Sequence, residues 1–112
     1  MPFIHTKTNV SISKEQEETL KAQFGKAIAL IGKSEAWLML DFEDSCKLWF
    51  KGDSSPAAIM EVSLYGKASP SAYDALTAKL TEILSSVLSV APNRIYVKYS
   101  EIEYWGMGGS NF

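Results

Sequence analysis

The chain has one cysteine, one histidine and one arginine among its 112 residues. A lone Cys46 excludes an intrachain disulfide and a CxxC redox pair. With His5 as the only imidazole, this chain alone lacks the ligands for a structural zinc site. No apolar stretch behind a basic start has the length a signal peptide needs, and none approaches the ~20 residues of a membrane-spanning helix. Positive charge is also scarce, with 11 Lys and Arg against 13 Asp and Glu and a formal charge of -2. That balance lacks the basic footprint of a nucleic-acid binder. The expectation is a cytoplasmic protein without nucleic-acid or membrane partners, export without a signal peptide being left open. A small anion still needs only a local basic group.

What is present is an ordinary globular composition, 46% hydrophobic and 21% charged. The length suits one core, so residues 1–112 are read as a single domain. After an opening strand MPFIHTKTNV, Ser13 followed by Gln16 fits a capping box, and Leu20, Phe24, Ile28 and Ile31 recur at helical spacing. Gly32 supplies the stop. WLMLDF at Trp37–Phe42 reads as a buried strand, KLWF at Lys47–Phe50 as a short one, and KGDSSP as turn material.

The pattern then restarts. Ala58–Tyr65 is a strand, and Ser69–Pro70 are the N-cap and first residue of a second helix. Tyr73, Leu76, Leu80, Ile83, Leu84, Val87 and Leu88 line one face of that helix, and Arg94–Ile102 is a further strand. The N-caps Ser13 and Ser69 lie 56 positions apart. The fold class expected is therefore α+β, with duplicated β-α-β units forming one four-stranded mixed sheet. Right-handed crossovers place both helices, antiparallel, on one face. Trp37, Met39, Phe50, Met60 and Tyr99 then offer more apolar strand surface than two helices cover, which predicts self-association. KLWF and the terminal WGM are the segments expected to pair across that interface.

Candidates for acid–base chemistry near neutrality are few. His5 sits in a strand, and no GxSxG elbow supports a Ser-His-Asp reading. Cys46 is read as a small buried or loop residue. The remaining group is an N-terminal amine, whose ordinary pKa of about 7.7 falls with burial and nearby positive charge. Pro2 becomes such an amine once Met1 is removed.

Several short segments then fall in a telling order: MPFI, TNV at Thr8–Val10, GK at Gly32–Lys33, SSP at Ser54–Pro56, YGK at Tyr65–Lys67, NRIYV at Asn93–Val97 and WGMGGSNF at Trp105–Phe112. In order and spacing the chain resembles the macrophage migration inhibitory factor family, of the tautomerase superfamily with a catalytic N-terminal proline. The resemblance runs end to end and implies a homotrimer with sites at subunit boundaries. It places Pro2 as general base and Lys33 as the cation that holds a substrate carboxylate. Tyr96 matches a tyrosine contributed by the neighbouring subunit, and Phe3 keeps an apolar residue beside the base. No metal or organic cofactor is implied.

Some positions depart from the vertebrate pattern. Lys98 replaces an asparagine beside the pocket, and Tyr65 replaces an isoleucine whose backbone N–H helps hold the carboxylate. Met107 stands where those members have tryptophan, Trp105 replaces a smaller residue, and Phe112 keeps the terminal phenylalanine. Their CxxC reads here as Ala57 and Met60, which removes a thiol oxidoreductase route. The expected activity is keto–enol tautomerisation of phenylpyruvate-like α-keto acids, with Phe3, Tyr96, Trp105 and Met107 as apolar walls. A cytokine-like trimer with a vestigial pocket and a host protein partner is the alternative. Hydration or dehalogenation of a small unsaturated acid is a second enzymatic alternative, for which Arg94 is the only arginine.

Overall fold

The computed structural model describes every residue from Met1 to Phe112. Strand β1 (Pro2–Thr8) leads into α1 (Lys14–Ala27), which continues as a 3-10 turn over Ile28–Ile31 and ends at Gly32 in the left-handed conformation, φ 73°. The capping box forms as expected: Ser13 Oγ accepts the Gln16 N–H at 3.1 Å, and Gln16 Oε1 accepts the Ser13 N–H at 2.9 Å. Next come β2 (Met39–Glu43), β3 (Ala58–Tyr65), α2 (Pro70–Leu88) and β4 (Ile95–Ile102), with a closing hairpin of β5 (Gly106–Met107) and β6 (Ser110–Asn111).

The main sheet has the order β2-β1-β3-β4. β1 runs parallel to β2 and β3 parallel to β4, while the two central strands are antiparallel. This is the duplicated β-α-β plan, an α+β fold. The Gln16 side chain at the start of α1 donates to the Val87 carbonyl near the end of α2, so the helices lie antiparallel.

One face of the sheet makes the core. Ile4, Met60, Val62 and Leu64 meet Leu20, Phe24 and Ile28 of the first helical segment and Leu76, Leu80 and Leu84 of α2. Each such side chain contributes on the order of 2 kcal/mol by leaving water. Tyr99 also faces the helices, its hydroxyl 2.7 Å from Thr77 Oγ1.

The opposite face corrects the expectation drawn from apolar content. Met60 and Tyr99 belong to the core side, because side chains alternate along a strand and those two share parity with Val62 and Val97. The middle of the open face is ionic. His5 Nδ1 lies 2.8 Å from Asp41 and Nε2 3.2 Å from Glu43, while Lys98 meets Glu61 at 3.3 Å. Both imidazole nitrogens face carboxylates, which leaves neither for a serine hydroxyl.

Two local expectations also change. Trp37 belongs to a 3-10 turn, Glu35–Trp37, capped by Ser34 Oγ on the Ala36 N–H, so β2 begins at Met39. Lys47–Phe50 forms no strand; its only pairing is the Phe50–Asp53 bridge. The Asn9 side chain holds this loop by donating to the carbonyls of Leu48, Ser54 and Ser55, and accepts the Ala57 N–H. The WGM segment pairs within the chain, in the β5–β6 hairpin. Gly108 and Gly109 both take positive φ, 62° and 98°, as a tight two-residue hairpin turn requires.

Candidate active site

Pro2 opens β1 at one end of the sheet, next to residues of the 34–38 turn and of the hairpin. Between them lies a cavity of about 510 Å³ lined by Met1, Pro2, Phe3, Trp37, Met39, Ser63, Ile102, Trp105, Gly106 and Met107. Its walls are mainly apolar, because open-face positions that are ionic at mid-sheet become Phe3, Met39 and Ile102 at this end.

Polar groups converge beside Pro2. Lys33, just past the left-handed Gly32, reaches back so that Nζ donates to the Tyr65 carbonyl at 2.9 Å. The Tyr65 N–H donates to the Met1 carbonyl at 3.1 Å. Burial, and then the charge of Lys33, push the Met1 amine below its ordinary value. The Tyr65 ring packs against Phe112 at 5.8 Å between centroids, and the Phe112 N–H donates to the Trp105 carbonyl at 3.0 Å. The carboxyl-terminal residues are thereby tied to the Lys33–Tyr65 side of the site.

The duplicated β-α-β frame that carries this cavity has counterparts among known proteins. The family model for macrophage migration inhibitory factor matches residues 1–112. The chain belongs to the macrophage migration inhibitory factor family. A homologue from Brugia malayi is 25% identical over 114 residues, covering 100% of this chain and 99% of that protein. Among solved structures, Leishmania major MIF2 superposes with a TM-score of 0.95 at 30% identity, covering 100% of this chain and 97% of that one. The Toxoplasma gondii migration inhibitory factor gives 0.92 at 26%, with 98% and 99% covered. Within this family and the wider tautomerase superfamily, Pro2 stands at the expected catalytic position, the first residue of β1. No helix is long and apolar enough to cross a membrane.

Of the residues singled out from sequence as a migration inhibitory factor site, Pro2, Phe3, Trp105 and Met107 share the cavity. Lys33, Tyr65 and Phe112 are linked beside it by the contacts above. Tyr96 and Lys98 lie elsewhere in the same chain. Tyr96 pairs with Ile59, which pairs with Lys7, whereas Pro2 pairs with Leu64. Five residues of β1 at ~3.3 Å each separate those levels by roughly 17 Å. Lys98 is level with His5 and is engaged by Glu61.

The cavity also contains Trp37, Met39, Ser63 and Ile102, which sequence reading did not assign to it. Parity was the available signal for the last three: Met39 and Ser63 pair with Phe3, and Ile102 pairs with Tyr65. Trp37 carried no such signal, since its place depends on a turn rather than a strand.

Proposed function

We propose that the chain is a keto–enol tautomerase acting on phenylpyruvate-like aromatic α-keto acids, with Pro2 as general base after removal of Met1. The observation that carries this reading is the placement of Lys33 and the Tyr65 N–H beside Pro2, which itself lines an apolar cavity. With Met1 attached, the Pro2 nitrogen is a tertiary amide whose lone pair is delocalised, and the Met1 carbonyl occupies the Tyr65 N–H. Removing Met1 frees a basic nitrogen and an adjacent backbone donor together.

The carboxylate then takes the Tyr65 N–H and the Lys33 ammonium, a charge-assisted pair. Phe3, Trp37, Trp105 and Met107 receive the aromatic ring. The neutral Pro2 nitrogen removes a proton from the carbon between ring and ketone. The C–H electron pair becomes the C=C bond and the carbonyl π pair moves to oxygen, where the donors stabilise the developing charge. The proline ammonium returns the proton to that oxygen, giving the enol, and the reverse sequence regenerates the ketone.

A homotrimer completes the proposed site. Tyr96 is 59% exposed and too distant from Pro2 to serve its own cavity, so a neighbouring subunit would receive it, with Lys98 beside it. The 47–50 segment, which joins no strand of the sheet and leaves Trp49 69% exposed, supports the same assembly. Arg94 does not favour the hydratase alternative, because its guanidinium is engaged by four backbone carbonyls.

The test compares Met1-free and Met1-retaining chains, separated by intact mass, in a phenylpyruvate enolisation assay. The processed chain should turn over and the unprocessed one be nearly silent. Equal rates would remove Pro2 as the base.

A further inference from the structure

Arg94 lies outside the chemistry above, yet its surroundings are specific. Nε donates to the Pro56 carbonyl at 2.9 Å, and Nη2 lies 3.2, 3.4 and 3.1 Å from the carbonyls of Phe50, Asp53 and Ser55. Nη2 also meets the Asp53 carboxylate at 3.0 Å. The turn so gathered contains Lys51 and Gly52 at φ 54° and 78°, a conformation that costs a residue with a Cβ about 1 kcal/mol. Four carbonyls of this turn meet one guanidinium, and a planar fork of five donors suits that task.

The fork does more than close a loop. Its carbon lies 5.2 Å from the centroid of the Phe50 ring, and Phe50 meets Tyr96 edge to face at 4.9 Å and 71°. Arg94, Phe50 and Tyr96 thus form a stack running from a well-anchored guanidinium, 13% exposed, to an outward-facing phenol.

We infer that Arg94 is a positioning residue for the assembled site: it fixes Phe50, and through Phe50 the Tyr96 ring that one subunit presents to the cavity of the next. The inference rests on the shared-site reading above. Lysine is a poor substitute, since one ammonium cannot reach four carbonyls and stack on the ring at once. The effect acts in trans, in the pocket of the neighbouring subunit, and leaves Pro2 untouched.

The experiment uses the Arg94→Lys and Phe50→Leu variants, each checked for assembly by light scattering. Both should raise KM for phenylpyruvate about 2- to 10-fold, the range of a lost aromatic pair. The kcat value and the acidic limb of the pH profile should stay as in wild type. Co-refolding Arg94→Lys with a base-blocked chain, Pro2→Lys with Met1 retained, should restore a wild-type KM where the good base meets an intact neighbouring Tyr96. An unchanged KM in correctly assembled single variants overturns the inference, as does a KM that stays raised in the mixed assemblies. Failure of the tautomerase reading has another signature, an assembled wild type silent toward phenylpyruvate. In that event the Kd for phenylpyruvate, from quenching of indole emission, replaces KM. A Kd unaltered by Arg94→Lys then overturns the role of Arg94, and a wild type that does not bind overturns both readings.

Discussion

The Lys33 ammonium and the Tyr65 carbonyl oxygen are 2.9 Å apart, a bond that joins the loop after α1 to the end of β3. It holds the cation beside the first residues of β1, which themselves pair with β3. Lysine at this position is therefore fixed by a backbone acceptor. Its charge acts on the amine at the start of the chain.

Lys33→Ala should lower kcat/KM for phenylpyruvate by about 10- to 100-fold, the worth of one charge-assisted hydrogen bond. The same ammonium helps push the Met1 amine below its ordinary value, second to burial. A Pro2 amine placed there feels the same cation, which disfavours its protonated form. Removing Lys33 raises the amine pKa, so the acidic limb of the kcat/KM profile should move to higher pH. An acidic limb at its original position would separate Lys33 from the base.

Trp37 should act as a wall for the aromatic ring. Trp37→Ala should raise KM for phenylpyruvate by roughly 10-fold, within the range for lost apolar contact in a pocket. It should change turnover of a substrate with a methyl group in place of the ring far less. Steady-state kinetics on the two substrates provide the comparison, and equal losses on both would argue against a ring contact.

In the core, Leu80 is fully buried between sheet and helices. Leu80→Ala should destabilise by about 2–5 kcal/mol, combining lost transfer energy with a cavity. Urea unfolding followed by far-ultraviolet circular dichroism measures this, with the midpoint shifting at nearly constant slope.

Tyr99 gives the fold an alkaline limit. Burial, foremost, raises its phenol above the ordinary value, while its hydroxyl keeps partners in Thr77 and the Tyr73 carbonyl. The folded state therefore retains this proton at a pH where the unfolded chain has released it. Its contribution is fully present below the ordinary phenol range, about pH 10, and is lost as pH rises through the raised folded value. Stability should fall above about pH 10, and Tyr99→Phe should flatten that fall. Chemical unfolding midpoints across the alkaline range test this.

Local signals in the sequence determined the helices, their caps and the duplicated strand pattern. Ser13–Gln16, Ser69–Pro70 and the spaced leucines of α2 act on immediate neighbours, so their consequences are legible in one dimension. The order of short motifs was equally legible and marked Pro2, Lys33 and Trp105 together. Tertiary structure decided which face each strand residue occupies. Met60 and Tyr99 read as surplus apolar surface until register placed them under the helices, and the ionic set around His5 arose only when β1 met β2. It also brought Trp37 into the cavity by a turn and separated Tyr96 from Pro2 by the length of β1. These outcomes depend on pairing between residues distant in sequence, and a one-residue change of register would reverse every face.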